Sequence, residues 1–373
     1  MENKFFLRLS FLAFAFLPFV LTAQSRKDRH LSSAEVLGVR ADASVASAAP
    51  VQKLDTASIR RMGVTSTADA LRRFAGVNLR DYGGAGGLKT VSVRGLGAQH
   101  TAVVYDGVTV SNAQQGQIDL GRFSLDRLAG IELHTADEGS LLVPVRQLGA
   151  ATVVLRSWQP NAQNQGMHGA VALRHGSFGV WNPSVLLSQN WNGRTAVNVS
   201  ADYYHGNNAY PFTVKNGVAT HREKRLNSQM NDWTLEANAH HLLRRGQLSG
   251  KVFYVTNHRY LPGPVTLYVS GNNEHLTEQN AFVQLRWEQQ YGRWNFFGAG
   301  KADWRESKYL DIAGRYPGGR LDQRYKQGEI YASAGASYVW QTLTAAVATD
   351  WFRNDLTSNL KVDNDVWRTS WLT

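Results

Sequence analysis

The clearest concentration of ligand-binding chemistry in the sequence is a run of amide side chains at Asn112, Gln114, Gln115 and Gln117. Each amide offers hydrogen-bond donors and an acceptor but no charge, so the run suits a large neutral ligand. A solvated surface loop would carry the same residues, and the sequence leaves both interpretations open.

A second candidate is the glycine-rich segment from Asp81 to Lys89, which contains four glycines. Such a loop can cradle a phosphate, but this one lacks the Gly-Lys-Ser/Thr ending of a P-loop and the placement of a dinucleotide fingerprint. We therefore expect either a structural turn or a loop that faces a ligand. In the second case the ligand-facing residues would be Tyr82, Gly83, Gly84 and Lys89.

Catalytic and metal chemistry find little support. The chain has 0 cysteines, which excludes disulfides, thiolate metal sites and a Cys nucleophile. His240 and His241 are neighbours on a predicted strand and point to opposite faces, so they cannot chelate one metal together. No nucleophile, base and orienting group stand at a recognisable spacing. We expect no enzyme activity, no bound metal and no cofactor.

The charge balance favours an acidic surface partner over nucleic acid. The 373 residues include 40 Lys+Arg against 29 Asp+Glu, a formal charge of +11. The basic residues are dispersed, and no helix-turn-helix, RNA-binding or zinc pattern accompanies them. Acidic lipopolysaccharide explains the dispersed positive charge of the chain more simply than nucleic acid does.

The first 23 residues have the pattern of a signal peptide. Lys4 and Arg8 precede a short apolar run, and Leu21-Thr22-Ala23 places a small residue before a cleavage site at Gln24. The run is too short to span a bilayer comfortably, although a membrane anchor is the alternative. We expect an exported protein that enters a membrane, if at all, with strands.

Residues 24–50 are small and polar and predict a flexible arm. Within it, Glu35, Val36, Leu37, Gly38 and Val39 form a short β-prone patch that could add a strand to a partner's sheet. Residues 51–157 predict a compact α+β domain. In this domain Ser66 begins a helix, Gly76 ends it, and Asp106-Gly107 forms a tight turn between two strands.

Residues 158–373 predict a series of membrane-length strands with alternating polarity. The alternation is plain at Ala281, Val283, Leu285 and Trp287, which fall on one face. The predicted strands lie near 167–175, 179–191, 195–206, 230–243, 247–258, 277–290, 294–308, 324–339 and 343–355, with a tenth that begins near 364.

The connections between these strands alternate in length, as they do in outer-membrane barrels. Short turns fall at 192–193, 244–246, 291–293 and 340–342, whereas 207–229, 259–276 and 309–323 are long. A soluble β-sandwich has no reason to sort its loops in this way. A plugged barrel has about 22 strands, so nine or ten strands predict less than half a barrel, from a truncated or partial sequence.

Three motifs in this order resemble the TonB-dependent outer-membrane receptors: residues 68–77 (ADALRRFAGV), 91–97 (VSVRGLG) and 104–108 (VYDGV). The resemblance implies a plug domain that fills a β-barrel, with Arg94, Gly95, Asp106 and Gly107 as structural plug residues. It also implies that Glu35 to Val39 is the TonB box, which pairs with the energy-transducing TonB complex of the inner membrane. Arg94 is expected to pair with carboxylates of the plug or the barrel wall rather than with ligand.

Residues 112–123, 81–84 and 208–212 are similar to the corresponding stretches of Bacteroidetes receptors of the vitamin B12 (cobalamin) type. The resemblance implies active import of cobalamin across the outer membrane, with outer-membrane lipid as surroundings and a surface lipoprotein as a further partner left open. A siderophore or haem receptor is the alternative, since Arg222, Lys224 and Arg225 could hold an anionic chelate. A non-transporting surface-binding protein or a truncated remnant is the alternative from another class.

Overall fold

The computed structural model describes residues 51–64, 66–82, 88–135, 142–158, 165–263, 265, 272–312, 314, 316–360 and 366–373. The predicted signal peptide, the arm and the TonB box from Glu35 to Val39 lie outside these residues, as do Gly83 and Gly84. The described residues all belong to one compact unit. Among the described residues no helix is both long and apolar enough to cross a membrane.

The N-terminal part of the described chain is a small α+β domain, hereafter the plug. Its helices are α1 (Thr56–Met62) and α2 (Thr67–Leu71). Its strands are β1 (Gln52–Asp55), β2 (Val77–Asp81), β3 (Lys89–Val93), β4 (Thr101–Tyr105), β5 (Val108–Val110), β6 (Leu128–His134) and β7 (Ala151–Ser157). Five of the strands form one sheet in the order β1-β6-β7-β4-β5, and β2 and β3 form a separate hairpin.

Local sequence signals explain where these elements begin and end. The Ser66 side chain accepts a 3.1 Å hydrogen bond from the Asp69 amide, which confirms the predicted cap of α2. The predicted end of this helix at Gly76 is wrong, because α2 ends at Leu71 with Arg72 as its C-cap and a series of turns follows; Gly76, with a φ of 78°, ends those turns in a left-handed conformation that glycine adopts without strain. The apolar faces then meet in a core in which Leu71, Val93 and Ile131 are fully buried.

The rest of the described chain is one large antiparallel sheet, hereafter the wall. Its ten strands are β8 (Gly166–Gly176), β9 (Val180–Asn190), β10 (Thr195–Gly206), β13 (Met230–Leu243), β14 (Gly246–Leu261), β15 (Glu274–Tyr291), β16 (Trp294–Asp311), β17 (Leu321–Trp340), β18 (Leu343–Ser358) and β19 (Val366–Leu372). Neighbours in sequence are neighbours in the sheet, so the wall is an up-and-down meander with β8 and β19 at its edges among the described residues.

All ten predicted wall strands are present. Most of them are longer than predicted, because they continue beyond the segment of alternating polarity on which each prediction was based. Two connections differ from the prediction. The 207–229 loop contains the hairpin β11 (Pro211–Asn216) and β12 (Ala219–Lys224). The connection between β8 and β9 is short although it lies at the long-loop end of the sheet.

The two faces of the wall differ sharply in chemistry. Facing the plug, Phe253 and Phe282 are buried, as are many charged side chains. On the other face, Val283, Leu285 and Trp287 are exposed, so the predicted alternation in β15 is confirmed.

Aromatic side chains mark both ends of the outer, apolar face. Tyr291, Trp294 and Trp340 are exposed at the short-turn end, and Trp233 and Trp304 are exposed toward the long-loop end. Trp294 and Trp304 are ten residues apart on β16, which corresponds to roughly 33 Å along the strand and to about 24 Å across a bilayer at a 45° tilt. A band of this height between two aromatic girdles is typical of strands that span a lipid bilayer.

Candidate functional site: the contact between plug and wall

The plug meets the wall at the tip of the β4–β5 hairpin, where the predicted turn at Asp106-Gly107 is confirmed. Both residues have positive φ, 46° and 79°, as a two-residue hairpin turn of this hand requires. The Gly107 carbonyl accepts a 2.7 Å hydrogen bond from Arg286 of the wall. A Cβ atom on Gly107 would lie 2.8 Å from the Arg286 side chain, so a larger residue here would adopt an unfavourable φ and would also require Arg286 to move.

A buried cluster of charges surrounds this turn and joins the plug to β13 and β14. Lys251 Nζ lies 2.8 Å from the Asp106 carboxylate and 2.8 Å from the Glu236 carboxylate. The same ammonium stands 3.3 Å from the centroid of the Tyr105 ring. The Tyr105 hydroxyl donates a 2.6 Å hydrogen bond to Glu236. We call these four residues, together with Arg127, the hairpin cluster.

The ionisation of the plug members follows from these contacts. Burial alone would raise the pKa of Asp106, but the Lys251 ammonium and two hydrogen bonds from Ser157 outweigh it and hold that pKa below its ordinary value. Burial raises the pKa of Tyr105 well above its ordinary value, and the Glu236 and Asp106 carboxylates act in the same direction. Tyr105 therefore stays a donor to a charged carboxylate.

Arg127 supplies the second cation of the hairpin cluster without close hydrogen bonds. Its guanidinium lies 3.5 Å from Asp202 and 3.7 Å from Glu236. It is buried, yet none of its three side-chain nitrogens has a hydrogen-bond partner among the described residues. A buried guanidinium without hydrogen bonds is costly. Arg127 is therefore stabilised by its attraction to the Asp202 and Glu236 carboxylates rather than by hydrogen bonds.

A second cluster, the Lys301 cluster, joins the plug to β16, β17 and β18. Lys301 Nζ lies 2.8 Å from Glu329 and donates a 2.8 Å hydrogen bond to the Thr109 carbonyl. Arg146 of the plug donates to Glu329 at 3.0 Å, and its backbone amide donates to Asp350 at 2.8 Å. Asp303 also lies 4.0 Å from Lys301, so in this cluster, as in the first, two cations meet several carboxylates across the contact between plug and wall.

A third contact lies nearer the long-loop end of the wall. Arg259 of β14 donates a 3.1 Å hydrogen bond to Asp119, which also accepts from the backbone amides of Lys89 and Gly121 at 3.1 and 2.9 Å. Burial opposes the ionisation of Asp119, but Arg259, Arg122 and these two amides together hold its pKa below its ordinary value. Asp119 therefore ties the glycine-rich segment of the plug to the wall.

The predicted amide run forms a compact turn that is itself fastened to the wall. Asn112 Oδ1 accepts from the amides of Gln114 and Gln115 at 3.1 and 3.2 Å and from Gln327 of β17 at 3.3 Å. Gln327 in turn accepts from the Gln114 amide at 3.3 Å. Asn112 is thus occupied in holding the turn, whereas no side-chain hydrogen bond of Gln114 or Gln117 is found among the described residues.

Lys89, at the described C-terminal end of the glycine-rich segment, lies beside a cavity. The Tyr82 amide donates to the Leu88 carbonyl at 3.0 Å, which closes the loop, and the Tyr82 side chain is 56% exposed. Lys89 approaches Asp81 to 4.0 Å and lines a cavity of about 630 Å³ between plug and wall. Buried charged groups of both parts line the same cavity, among them Arg122, Asp202 and Arg259.

The Arg94 motif has a different environment from the one predicted. Arg94 and Gly95 form a tight turn with positive φ of 52° and 78°. The Arg94 side chain is exposed and donates to the Thr135 hydroxyl at 3.2 Å, a neutral partner, and among the described residues it forms no ion pair with a carboxylate. Gly95 has open space around the position of a Cβ atom, so its requirement for glycine comes from φ alone.

The wall side of these contacts was missed by sequence reasoning. Glu236, Lys251, Arg259 and Glu329 are buried charges on strands. Their sequence signal is a charged residue on one face of a strand whose other face is apolar, which is also what a channel lining shows. Only the structure shows which plug residue each one meets. Among the described residues no group of three or more His, Asp or Glu side chains could hold a metal ion.

Comparisons with known proteins agree with this architecture. Residues 44–151 match the family model described as the TonB-dependent Receptor Plug Domain. The fold resembles the copper transporter OprC with a TM-score of 0.63 at 11% identity, over 86% of this chain and 50% of that one. It also resembles the ferric yersiniabactin uptake receptor FyuA from Yersinia pestis (TM-score 0.60, 12% identity, 86% and 49% covered).

The siderophore receptor PirA from Pseudomonas aeruginosa is similar to the same extent, with a TM-score of 0.60 at 12% identity over 86% of this chain and 51% of that one. The chain thus spans about half the length of the solved structures that it matches. The predicted fold class, an α+β plug followed by part of a large antiparallel barrel sheet, is confirmed. Residues 44–151 thus match the TonB-dependent receptor plug domain, and the described chain has the fold of the solved transporters and receptors that it matches.

Proposed function

We propose that the protein is a TonB-dependent outer-membrane receptor that imports a scarce nutrient into the periplasm. The observation that carries the proposal is the seating of the plug on the inner face of the wall through charged clusters. A plug that only sealed a pore could be held by apolar packing. Contacts in which cations meet carboxylates suit a plug that must be secure at rest and released under force, because each broken pair can be solvated as it opens.

In this proposal ligand binds above the plug at the long-loop end of the wall. The TonB complex pulls on the arm through Glu35 to Val39, and the plug rearranges so that ligand passes. The cavity between plug and wall, beside Lys89, supports a passage on that side of the plug. Signal-peptide cleavage near Ala23 and residence in the outer membrane belong to the same proposal, with the two aromatic girdles as support.

Cobalamin is the ligand that we propose first. Its support is the amide turn, where Gln114 and Gln117 offer neutral hydrogen-bonding groups, and the exposed Tyr82 ring is a further plug side chain open to a ligand. An amide-rimmed turn matches a large ligand that presents amide groups of its own.

A ferric siderophore or haem is the second candidate, and a separate observation favours it. The hairpin β11–β12 is exposed and carries Lys215, His221, Arg222 and Lys224 at the long-loop end. Exposed cations of this kind suit an anionic chelate. A non-transporting surface-binding protein remains the alternative from another class, and it would bind ligand without carrying it inward.

The test is ligand uptake by a receptor-deficient outer-membrane host that expresses the complete protein. Saturable uptake of cyanocobalamin would support the first ligand, and uptake of a ferric siderophore alone would support the second. Binding of either ligand without entry into the periplasm would favour the surface-binding alternative and overturn the import proposal.

A further inference from the structure

The short turns of the wall carry a row of exposed arginines. Arg194 follows β9, Arg244 and Arg245 follow β13, and Arg293 follows β15, and all four are exposed. We call the turns at 191–194, 244–245, 292–293 and 341–342 the short-turn rim. Only the last of these turns, Gln341-Thr342, has no arginine.

The backbone holds these turns side by side in a repeated way. The Arg194 carbonyl accepts from the Leu242 amide at 2.7 Å, Arg245 from Gln290 at 2.7 Å, and Arg293 from Val339 at 3.0 Å. Arg194, Arg245 and Arg293 are therefore each anchored through the main chain by the next hairpin of the wall. The guanidinium groups are presented in a row at the rim rather than scattered over a mobile loop.

These guanidinium groups have no acidic partner among the described residues. Glu288, the carboxylate on the adjoining end of β15, is already engaged by Gln247 and Arg286, both at 2.6 Å. At the long-loop end of the wall, Arg324 is paired with Asp322 at 3.1 Å and Arg353 with Asp355 at 3.3 Å, although the β11–β12 hairpin there carries further exposed cations. What distinguishes the short-turn rim is four exposed arginines in adjacent turns without an acidic partner among the described residues.

The level of the rim relative to a membrane follows from its aromatic neighbours. Trp191, Tyr291, Trp294 and Trp340 are exposed at the same ends of the strands. Such aromatic side chains lie at the head-group level of a bilayer. Arginines immediately beyond them meet lipid phosphates, to which a guanidinium can donate two parallel hydrogen bonds.

We propose that the short-turn rim binds the phosphate head groups of anionic phospholipid in the leaflet that these turns face. The inference rests on the membrane placement proposed above but not on the ligand or on transport. If the strand order also sets orientation, that leaflet is the periplasmic one, where phospholipid rather than lipopolysaccharide would be bound.

The test compares lipid binding by three forms of the complete protein: the wild type, R194Q/R244Q/R245Q/R293Q, and the charge-matched control R222Q/R320Q/R324Q/R353Q at the long-loop end. Each form is purified in detergent, checked for folding by heat-modifiable gel mobility, and titrated with phosphatidylglycerol, phosphatidylethanolamine and lipopolysaccharide under native mass spectrometry. We expect the wild type and the control to prefer phosphatidylglycerol, and the rim variant to bind it at least about tenfold more weakly while folding normally.

Three results would overturn the inference: a folded wild type without preference for phosphatidylglycerol, an equal loss in the control variant, or a preference for lipopolysaccharide that depends on the rim arginines. None of these would affect the import proposal, since ligand uptake is measured separately. A wild type that does not insert into membranes at all would instead contradict the membrane placement and both proposals with it.

Discussion

The Tyr105 hydroxyl donates a 2.6 Å hydrogen bond to the Glu236 carboxylate, which joins plug strand β4 to wall strand β13 across 131 positions of sequence. Both side chains are buried, and the Lys251 ammonium lies against both of them. This one contact combines the two properties that a releasable plug needs. It is strong while water is excluded, and its partners are readily hydrated once it opens.

The first prediction concerns the cation at the centre of the hairpin cluster. Lys251→Met would leave the Asp106 and Glu236 carboxylates buried without their shared partner, so we expect a loss of about 3–5 kcal/mol in the free energy of unfolding. Thermal or denaturant unfolding of the complete protein in detergent measures it. The matched control is Lys215→Met on the exposed β11–β12 hairpin, which should change stability by less than about 0.5 kcal/mol. Equal effects of the two variants would show that the cluster does not hold the plug.

The second prediction separates two reasons for a glycine. Gly95 and Gly107 have nearly equal φ of 78° and 79°, but only Gly107 has a wall side chain within 3 Å of the position of a Cβ atom. Gly95→Ala should therefore cost only the backbone strain, about 1–2 kcal/mol. Gly107→Ala should cost more and should also displace Arg286, which would open the plug to limited proteolysis. If both variants show the same melting temperature and the same proteolysis pattern, the close approach of Arg286 is not important.

The third prediction concerns pH. The pKa values of Asp106 and Asp119 are held below their ordinary value in the folded protein. A carboxyl with a depressed folded pKa contributes stability above its unfolded pKa, about 3.9, and loses it as the pH falls through the lower folded value. The contribution of these two carboxyls to the melting temperature should therefore be constant from neutral pH to about pH 5 and fall at lower pH. Asp119→Asn should be less stable at neutral pH and fall less steeply in acid, whereas an unchanged slope would contradict the assignment.

The fourth prediction distinguishes the two parts of the amide turn. Asn112→Ala removes the acceptor that holds the turn and its link to Gln327, so it should lower both ligand affinity and the thermal stability of the plug. Gln117→Ala should lower cobalamin affinity, by several-fold for a lost neutral hydrogen bond, without a change in stability. Isothermal titration and thermal unfolding of the same samples check both. Undiminished cobalamin binding by Gln117→Ala would remove this residue from the proposed ligand site.

Much of the fold could be predicted because its signals are local. The cap at Ser66, the turn at Asp106-Gly107 and the two-residue period of β15 each depend on residues close together in sequence. The hairpin inside 207–229 was missed because β12 is exposed throughout and the alternation in β11 is limited to two apolar residues, Phe212 and Val214. The contacts of the site lie beyond local reasoning, since Asp106 and Lys251 meet only when plug and wall are both folded.

Arg94 is another residue whose contacts could not be predicted from the local sequence. Its motif predicts a structural role, but the sequence could not indicate that the described partner is the Thr135 hydroxyl rather than a carboxylate. The amide turn was recognised by its composition alone. Asn112 could not be distinguished from its neighbours as the residue that holds the turn, because one of its partners, Gln327, is 215 positions away.

The measurement that tests the central claim most directly is uptake of labelled cyanocobalamin, and of a ferric siderophore in parallel, by the complete protein with and without residues 35–39. The host lacks its own receptors, and surface binding and folding are measured on the same cells. We predict saturable uptake that is lost with the deletion, or with collapse of the proton gradient, while ligand binding persists. Uptake that continues undiminished without residues 35–39, from a protein that is folded in the membrane, would contradict TonB-dependent import.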